Sequence, residues 1–207
     1  MLKKFVLGTI AAVVLAACGG EGSNSASSAS AQSGAASGSL IERINNKGTI
    51  TVGTEGTYAP FTYHDKDGKL TGYDVEVTRA VADKLGVKVE FKETQWDSMM
   101  AGLKAGRFDV VANQVGLTSP ERQATFDKSE PYSWSGAVLV ARKDSNIKSI
   151  DDIKGVKTAQ SLTSNYGEKA KAAGAELVPV DGLAQSLTLI EQKRADATLN
   201  DELAVLD

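Results

Sequence analysis

The sequence predicts an α/β fold in which mostly parallel sheets carry helices on both faces. Short apolar runs alternate with amphipathic helical patterns from Thr49 to the end of the 207-residue chain. The segments LKAGRFDVVAN at 103–113 and IEQKRADATLN at 190–200 also share one plan, and each ends a predicted strand at an asparagine. This internal likeness predicts two lobes of similar build, although any two βα units share part of such a pattern.

The chain begins with a pattern typical of an export signal. Two lysines lead into an apolar run at 5–15, and the residues LAAC follow at 15–18. A basic start, a short apolar centre and small residues before the cleavage point are typical of a secretory signal peptide. LAAC also resembles the bacterial lipobox, in which the cysteine is acylated and becomes the new N-terminus. We therefore predict a signal peptide at 1–17 and lipidation of Cys18; the alternative is an ordinary signal with an incidental cysteine.

Residues 19–39 are mostly glycine, serine and alanine, with almost no bulky apolar side chain. Such a segment cannot bury a core, so we predict that 18–39 forms the lipidated cysteine and a flexible tether. Because several acyl chains anchor a protein more firmly than one, we expect the folded domain to be held at a membrane.

Composition excludes several classes of function. The net charge of −3 lacks the basic excess of nucleic-acid-binding proteins, so we expect no nucleic-acid partner. With one cysteine and one histidine, the chain can form neither an internal disulfide nor a clustered imidazole metal site. We interpret His64 and Glu55-Gly56 as turn residues. Phosphate-binding GKS or GKT loops, GxSxG and HExxH are also missing, so we predict neither catalysis nor a cofactor.

The elements of the first lobe follow from hydrophobic periodicity and glycine stops. In order, we expect a helix at 40–46, a strand at 49–54, a helix from Asp74 to Gly86, a strand at 87–92, a helix at 96–103 and a strand at 108–113. Asp74 is the expected N-cap of its helix. The expected apolar face of that helix consists of Val77, Ala80, Val81 and Leu85.

The second half continues the alternation of strands and helices. Residues 135–142 are an apolar, strand-like run that we interpret as a crossing into the second lobe. Beyond it we expect a helix at 149–154, a strand at 156–160, a helix capped within 161–165 and ending at Gly174, a strand at 176–180, a helix at 183–193, a strand at 195–200 and a last helix that begins at Asp201.

Residues 109–122 predict a strand that runs into the start of a helix. The initial DVVAN is a short apolar run, and SPE at 119–121 places serine at the N-cap and proline at the first helical position. Arg122 adds a cation to the positive end of the helix dipole, and its two parallel donors match a carboxylate. We therefore predict a carboxylate-binding helix start; the alternative is a surface arginine paired with Glu121 or Asp127.

Polar residues stand at the ends of two predicted strands. Because ligands of open α/β sheets bind outside the carboxyl ends of strands, we expect Asn113-Gln114 and Asn200-Asp201 to face a shared cleft. Arg122 on one wall would hold a carboxylate, and Asp201 on the other would hold an ammonium group, so the cleft suits a zwitterion. Asp201 is also a candidate N-cap, and the two roles do not exclude each other.

Further candidate walls lie on loops at strand ends. Thr163, Ser164 and the amides after them are candidates for a second carboxylate contact. Tyr58, Phe61 and Trp96 are candidates for apolar or stacking walls. The alternatives are that Ser164 is only a helix cap and that Phe61, which follows a proline, belongs to the core.

Several motifs together resemble the signature of the polar-amino-acid (family 3) solute-binding proteins of ABC importers. They are GYDVEV at 72–77, WD at 96–97, NQV at 113–115, PER at 120–122 and EPY at 130–132. The resemblance covers residues 40–207. Within the family, NQV and the SNY run at 164–166 are most similar to the cystine- or cysteine-binding members.

The resemblance implies a type II periplasmic-binding-protein fold, in which two lobes joined by two crossing strands close on one amino acid. It implies a first lobe at 40–136, a hinge crossing at 137–142 and a second lobe at 143–207. Matched residue by residue, Arg122 would bind the α-carboxylate with help from Ser164, Asp201 would bind the α-ammonium, and aromatic side chains would line the side-chain pocket. The predicted substrate-binding residues are Tyr58, Trp96, Asn113, Gln114, Gly116, Thr118, Arg122, Thr163, Ser164 and Asp201.

Two departures from the family pattern affect these expectations. The stretch 116–119 is one residue longer than usual, so the hydroxyl that normally assists Arg122 is either that of Thr118 or missing. The chain also stops at Asp207, where family members continue. We therefore expect a C-terminal truncation that leaves the first lobe incomplete.

The leading hypothesis is a monomeric, lipid-anchored receptor that captures an amino acid and delivers it to an ABC permease. It would lie in the cell envelope, at the periplasmic face of a Gram-negative membrane or the outer face of a Gram-positive one. The alternatives are a periplasmic enzyme similar to cyclic dicarboxylate dehydratases, which share the fold, and the ligand-sensing domain of a receptor. Asp201 argues against the enzyme, because it would face a second carboxylate.

Overall fold

The computed structural model describes residues 38–207, so the predicted signal peptide, the lipidation of Cys18 and nearly all of the tether lie outside the described residues. The α-helices are α1 (Leu40–Lys47), α2 (Tyr73–Leu85), α3 (Trp96–Lys104), α4 (Pro120–Thr125), α5 (Asn165–Ala172), α6 (Leu183–Glu191) and α7 (Glu202–Leu206), with a 3-10 helix at Ile150–Ile153. The strands are β1 (Thr49–Thr54), β2 (Thr57–Tyr58), β3 (Thr62–His64), β4 (Leu70–Thr71), β5 (Lys88–Glu93), β6 (Val110–Val111), β7 (Ala137–Ala141), β8 (Lys157–Gln160), β9 (Glu176–Pro179) and β10 (Ala197–Asp201). The predicted alternation of strands and helices is confirmed.

The first sheet has the strand order β5-β1-β6, and all of its pairs are parallel. Thr49 lies opposite Lys88, and Val52 lies between Phe91 and Val110. Its core cluster joins one face of the sheet to α1 and α2. The buried members of that cluster are Ile44, Ile50, Val52 and Ala82. A small antiparallel sheet of β2, β3 and β4 follows β1 directly.

The second sheet has the order β7-β10-β8-β9. β8 lies parallel to both β9 and β10, whereas β7 is an antiparallel edge strand that pairs with β10 along its whole length. The core here packs the 3-10 helix and α5 onto the sheet through Ile153, Ala170, Ala197 and Leu199. Mostly parallel sheets, as the alternating pattern predicts, therefore form both halves of the described chain.

The strand expected at 108–113 is shorter than predicted, and side chains supply some of the hydrogen bonds to β1 at both of its ends. The backbone N–H of Thr51 donates to the carboxylate of Asp109 at 2.8 Å. The N–H of Glu55 donates to the side-chain carbonyl of Asn113 at 2.7 Å. Only Val110–Val111 retains strand geometry, and Asn113 turns its carboxamide toward the loop after β1.

The prediction for the second helix is wrong in two respects. Its N-cap is Gly72 rather than Asp74, and no side chain caps it. The buried residues of α2 are Asp74, Val75, Thr78 and Ala82, whereas Ala80, Val81 and Leu85 of the predicted face are exposed. The cause is a tertiary contact. The buried Asp74 carboxylate binds Gln114 in the loop after β6, and this contact sets how the helix is rotated about its axis.

Three other helix starts follow the predicted cap chemistry. Ser119 accepts a hydrogen bond from the N–H of Arg122, with Pro120 at the first helical position. Ser164 accepts from the N–H of Gly167 at 2.9 Å, and Asp201 accepts from the N–H of Leu203 at 2.9 Å. Each cap stands directly after a loop or strand of the predicted cleft, so the caps and the candidate site share residues. Within residues 38–207, no helix has the length and apolarity needed to cross a membrane.

Candidate functional site

A cavity of about 50 Å³ lies where the loops after β1, β6 and β8 meet the end of β10. Its lining residues are Glu55, Tyr58, Trp96, Asn113, Gln114, Gln160, Ser161, Ser164, Asn165, Tyr166, Gly182, Leu183, Ser186 and Asn200. Asn113 and Gln114 come from the first sheet and Asn200 from the second, so these three face a common cavity, as expected from the strand ends. This cavity between the two sheets is called the central cavity below.

The ten predicted site residues divide into three groups. Tyr58, Trp96, Asn113, Gln114 and Ser164 line the central cavity. Gly116, Thr118 and Asp201 instead line a neighbouring cavity of about 420 Å³, which shares Gln114, Asn165 and Tyr166 with the first. Arg122 and Thr163 line neither of the two. In this conformation, therefore, Asp201 and Arg122 do not line the cavity that the two asparagines line, and their roles in binding stay predictions.

Arg122 is buried, with 7 % of its surface exposed, so it is not the surface arginine of the alternative interpretation. Its Nη1 donates to the carbonyl of Gly116 at 2.9 Å, and its Nη2 donates to the carbonyl of Thr163 at 2.5 Å. The guanidinium also lies 5.5 Å from the centre of the Trp96 ring, within the range of a cation–π contact. Within the lengthened stretch 116–119, the Arg122 guanidinium therefore binds the backbone carbonyl of Gly116 rather than the Thr118 hydroxyl.

Asp201 combines a capping role with contacts to the cavity walls. One carboxylate oxygen accepts from the N–H of Leu203 and from the hydroxyl of Ser135 at 2.8 Å. The other oxygen has a longer contact of 3.3 Å with the Tyr166 hydroxyl. The side chain is almost fully buried, with 4 % of the residue exposed. The second oxygen therefore accepts fewer hydrogen bonds than the first.

Side chains from the two halves bind each other directly. The Tyr58 hydroxyl donates to the side-chain carbonyl of Asn200 at 2.7 Å, and burial raises the pKa of that hydroxyl far above its ordinary value. Thr163 donates to one oxygen of Asp97 through its N–H at 3.1 Å and through its hydroxyl at 2.7 Å. These bonds and the one from Arg122 to Thr163 join the first half of the described chain to the second.

Glu55 is the site residue that the sequence interpretation missed, because it was assigned only to a turn. It is the one carboxylate among the residues that line the central cavity. Its Oε2 accepts from the side-chain N–H of Asn113 at 2.6 Å. Glu55 directly follows β1, so the strand-end rule that identified Asn113 also pointed to Glu55. His64, which was interpreted as a turn residue, is exposed at the end of β3, and its ring lies 3.1 Å from the Gly56 carbonyl and 3.2 Å from Glu93.

Trp96 contributes more than an apolar wall. It has 9 % of its surface exposed, and its indole N–H has no hydrogen-bond partner among the described residues. A buried donor without a partner costs free energy, so a rearrangement that gives this N–H an acceptor is favoured. Phe61, by contrast, is a core residue with 2 % exposed, as the alternative for that residue stated.

The charge state of Glu55 predicts a pH dependence of stability. Burial raises the pKa of its carboxyl above the ordinary value of 4.5, and the charge of Asp97 adds to the rise. The hydrogen bond from Asn113 lowers the pKa, but by less than burial raises it. The folded state therefore holds this proton more tightly than the unfolded state, and the contribution of Glu55 to stability falls as pH rises from about 4.5 through the raised pKa. We expect Glu55→Gln to flatten the fall in urea midpoint over this range.

Midpoints of the ligand-free protein measured from pH 4.5 upward provide the check. Glu121→Gln, an exposed change on α4, serves as the control and should keep the slope of the unmodified protein. Equal slopes for Glu55→Gln and the unmodified protein would contradict the assignment of a raised pKa to this residue.

Comparison with known proteins identifies the family. The model of the bacterial extracellular solute-binding proteins, family 3, matches residues 50–204. The chain belongs to this family. The curated relatives are named as binding proteins rather than as enzymes, and this chain is accordingly a solute-binding protein.

Three curated relatives place the chain within family 3. It is 63% identical over 171 residues to a probable amino-acid ABC transporter-binding protein of Haemophilus influenzae, covering 82% of this chain and 66% of the relative. It is 56% identical over 209 residues to the L-cystine-binding protein TcyA of Bacillus subtilis, covering 100% of this chain and 75% of the relative. It is 40% identical over 172 residues to the L-cystine-binding protein TcyJ of Escherichia coli, covering 81% and 64%. The chain thus spans about two thirds to three quarters of the length of these relatives.

Solved structures agree with the fold expected of family 3. The ancestral amino acid-binding protein AncCDT-1, a precursor of cyclohexadienyl dehydratase, superposes with a TM-score of 0.75 at 35% identity, covering 81% of this chain and 76% of that one. The L-cystine solute receptor of Neisseria gonorrhoeae, in its unliganded open conformation, is 96% identical over 83% of this chain and 72% of that one, but its TM-score of 0.49 gives no support to the fold. The fold is the type II, two-lobed fold of periplasmic amino-acid-binding proteins, as the sequence resemblance predicts.

Proposed function

We propose that this chain captures an L-amino acid, cystine or cysteine, for an ABC importer. The observation that carries the proposal is the polar central cavity, which is enclosed at the ends of strands from both sheets. Relatives named as L-cystine-binding proteins, 56% and 40% identical to this chain, support the choice of ligand.

The chemistry of the cavity suits a zwitterion with further polar groups. Carboxamides of Asn113, Gln114, Gln160, Asn165 and Asn200 offer both donors and acceptors around it. Glu55 supplies a carboxylate for an ammonium group, and the Trp96 N–H has no hydrogen-bond partner within residues 38–207. In the roles that the family resemblance implies, Arg122 releases one of its backbone carbonyls and binds the ligand's α-carboxylate instead. Asp201 binds the α-ammonium group through the carboxylate oxygen that accepts fewer hydrogen bonds.

Ligand entry requires the lobes to separate. A cavity of about 50 Å³ has room for only a few water molecules. The bonds from Tyr58 to Asn200 and from Asp97 to Thr163 must therefore break when a ligand enters, and they form again as the lobes close. Ligand binding then shifts an equilibrium between open and closed forms, because the ligand contacts both lobes only in the closed one.

We also infer the division of the chain from this motion. The first lobe is assigned to 40–136, the hinge crossing to 137–142 and the second lobe to 143–207. The pairing of β7 with β10 supports a boundary near 137, because it attaches that strand to the second sheet.

Delivery and anchoring complete the proposal. Acylation of Cys18 would hold the protein, as a monomer, at the periplasmic or outer face of a membrane, close to the permease. The anchor is tested by fractionation: the intact protein should stay with the membranes, and Cys18→Ser should release it. Equal retention of both forms would contradict lipidation at this residue.

Ligand identity is tested by thermal and chemical denaturation against L-cystine, L-cysteine, glutamine and histidine. A ligand at one hundred times its dissociation constant should stabilise the protein by about 2.7 kcal/mol. We expect L-cystine or L-cysteine to give this shift and the other two to give much less. The same series is run on the full product of the gene, and a well-folded protein that no amino acid stabilises would disprove the proposal.

A further inference from the structure

Asp74, at the start of α2, is a fully buried carboxylate that caps no helix. One of its oxygens accepts from the backbone N–H of Gln114 at 2.7 Å. The other accepts from the side-chain Nε2 of Gln114 at 2.7 Å and from the Tyr132 hydroxyl at 3.0 Å. It has no cationic partner within residues 38–207, so these donors are what compensates its burial.

Gln114 is held at both ends of its side chain and in an uncommon backbone conformation. Its φ angle is 49°, in the left-handed region that residues other than glycine seldom adopt. Its Oε1 accepts from the Ser133 hydroxyl at 2.8 Å, while Nε2 and the backbone N–H both bind Asp74. A left-handed residue persists only where its surroundings impose it, and here Asp74 supplies two of those contacts.

The position of Gln114 makes this arrangement relevant to binding. Gln114 lines both the central cavity and the neighbouring one that contains Asp201. Two residues further on, the carbonyl of Gly116 binds Arg122. A change in the backbone at Gln114 would therefore move a wall of the cavity. It would also move the Gly116 carbonyl, which binds Arg122, the residue proposed to hold the ligand's carboxylate.

We propose that Asp74 is a positioning residue, which fixes the left-handed turn at Gln114 and thereby sets the affinity of the central cavity for its ligand. The proposal rests on the proposed function for the identity of that ligand. Asp74 itself lines neither cavity, so it acts only through Gln114. An ionised carboxylate suits the role, because it accepts hydrogen bonds at both oxygens and donates none.

Asp74→Asn tests the proposal with little change in shape. Its amide must turn an N–H toward either the backbone or the side-chain donor of Gln114, so one of those bonds is lost. We expect the affinity for L-cystine, measured by calorimetry, to fall at least tenfold. In ligand-free protein, the Gln114 amide should also lose its protection against hydrogen exchange.

Two variants separate positioning from a general loss of stability. Tyr132→Phe removes one donor of the same carboxylate without touching Gln114, so affinity should stay within threefold and the Gln114 amide should stay protected. In the Gln114→Gly variant, glycine adopts the positive φ without strain and has no side chain for Asp74 to hold. Adding Asp74→Asn to this variant should therefore change the affinity by less than twofold. Equal losses in the two backgrounds would overturn the proposal.

Failure of the proposed function is distinguishable from failure of this inference. If the unmodified protein binds no amino acid, hydrogen exchange still decides, and unchanged protection of the Gln114 amide in Asp74→Asn overturns the positioning role. If Asp74→Asn does not fold, Ser133→Ala replaces it, because it releases the other end of the same carboxamide. A loss of about threefold in affinity, with exchange faster at Gln114, is then expected, and unchanged values for both would overturn the proposal.

Discussion

Arg122→Ala is expected to lower the affinity for L-cystine about thousandfold. In the proposed complex the guanidinium donates two hydrogen bonds to the α-carboxylate, and bonds to charged groups contribute about 1.5–3 kcal/mol each. A loss of about 4 kcal/mol corresponds to the thousandfold change. The substitution also leaves the buried carbonyls of Gly116 and Thr163 without their present donor. Calorimetric titration of the folded variant measures the effect.

Lysine and a remote arginine provide the comparison. Arg122→Lys keeps the charge but loses the planar pair of donors, so we expect most of the affinity to be lost. Arg43→Ala removes an exposed arginine of α1 whose side chain hydrogen-bonds only to the Gly38 carbonyl among the described residues, and the variant should bind as the unmodified protein does. If Arg122→Ala stays within tenfold, the arginine only fixes the two carbonyls and the carboxylate binds elsewhere.

Asp201→Asn is expected to lower affinity about a hundredfold while leaving the ligand-free protein nearly as stable. Asparagine caps a helix about as well as aspartate, so α7 keeps its start. The negative charge that would pair with the α-ammonium is lost, at about 2.7 kcal/mol. Urea denaturation and calorimetry of the same preparation separate the two quantities.

Alanine at the same position removes both roles. We expect Asp201→Ala to lose the affinity and, in addition, about 1 kcal/mol of stability, because the N–H of Leu203 loses its partner. Glu202→Gln, an exposed change at the next residue, should leave affinity and stability unchanged. Retained affinity in Asp201→Asn would mean that Asp201 is a cap alone and that Glu55 is the acid facing the ligand.

The sequence was sufficient for features that depend on local chemistry. The caps at Ser119, Ser164 and Asp201 and the parallel strands were predictable, because each rests on neighbours in the chain. The apolar face of α2 was not predictable, because the burial of Asp74 against a loop forty residues away turns that helix. Local propensity contains no information about such a partner.

The candidate site was predictable to a similar extent. The strand-end rule brought Asn113, Gln114 and Asn200 together correctly. It missed Glu55, which was assigned to a turn although it obeys the same rule. It also could not anticipate that Arg122 binds carbonyls from both halves, because that depends on how the lobes meet in the closed form.

The contacts of Thr163 with Asp97 have a consequence for selectivity. They join two residues that line neither of the two cavities, so they add the same increment to closure whatever molecule is enclosed. Such an increment raises affinity for every candidate equally and cannot distinguish one amino acid from another. Discrimination must therefore come from residues that line the cavity, and Glu55 and Trp96 are among them. Substitutions at Asp97 should change the affinity for all ligands alike, and substitutions at Glu55 should change which ligand is preferred.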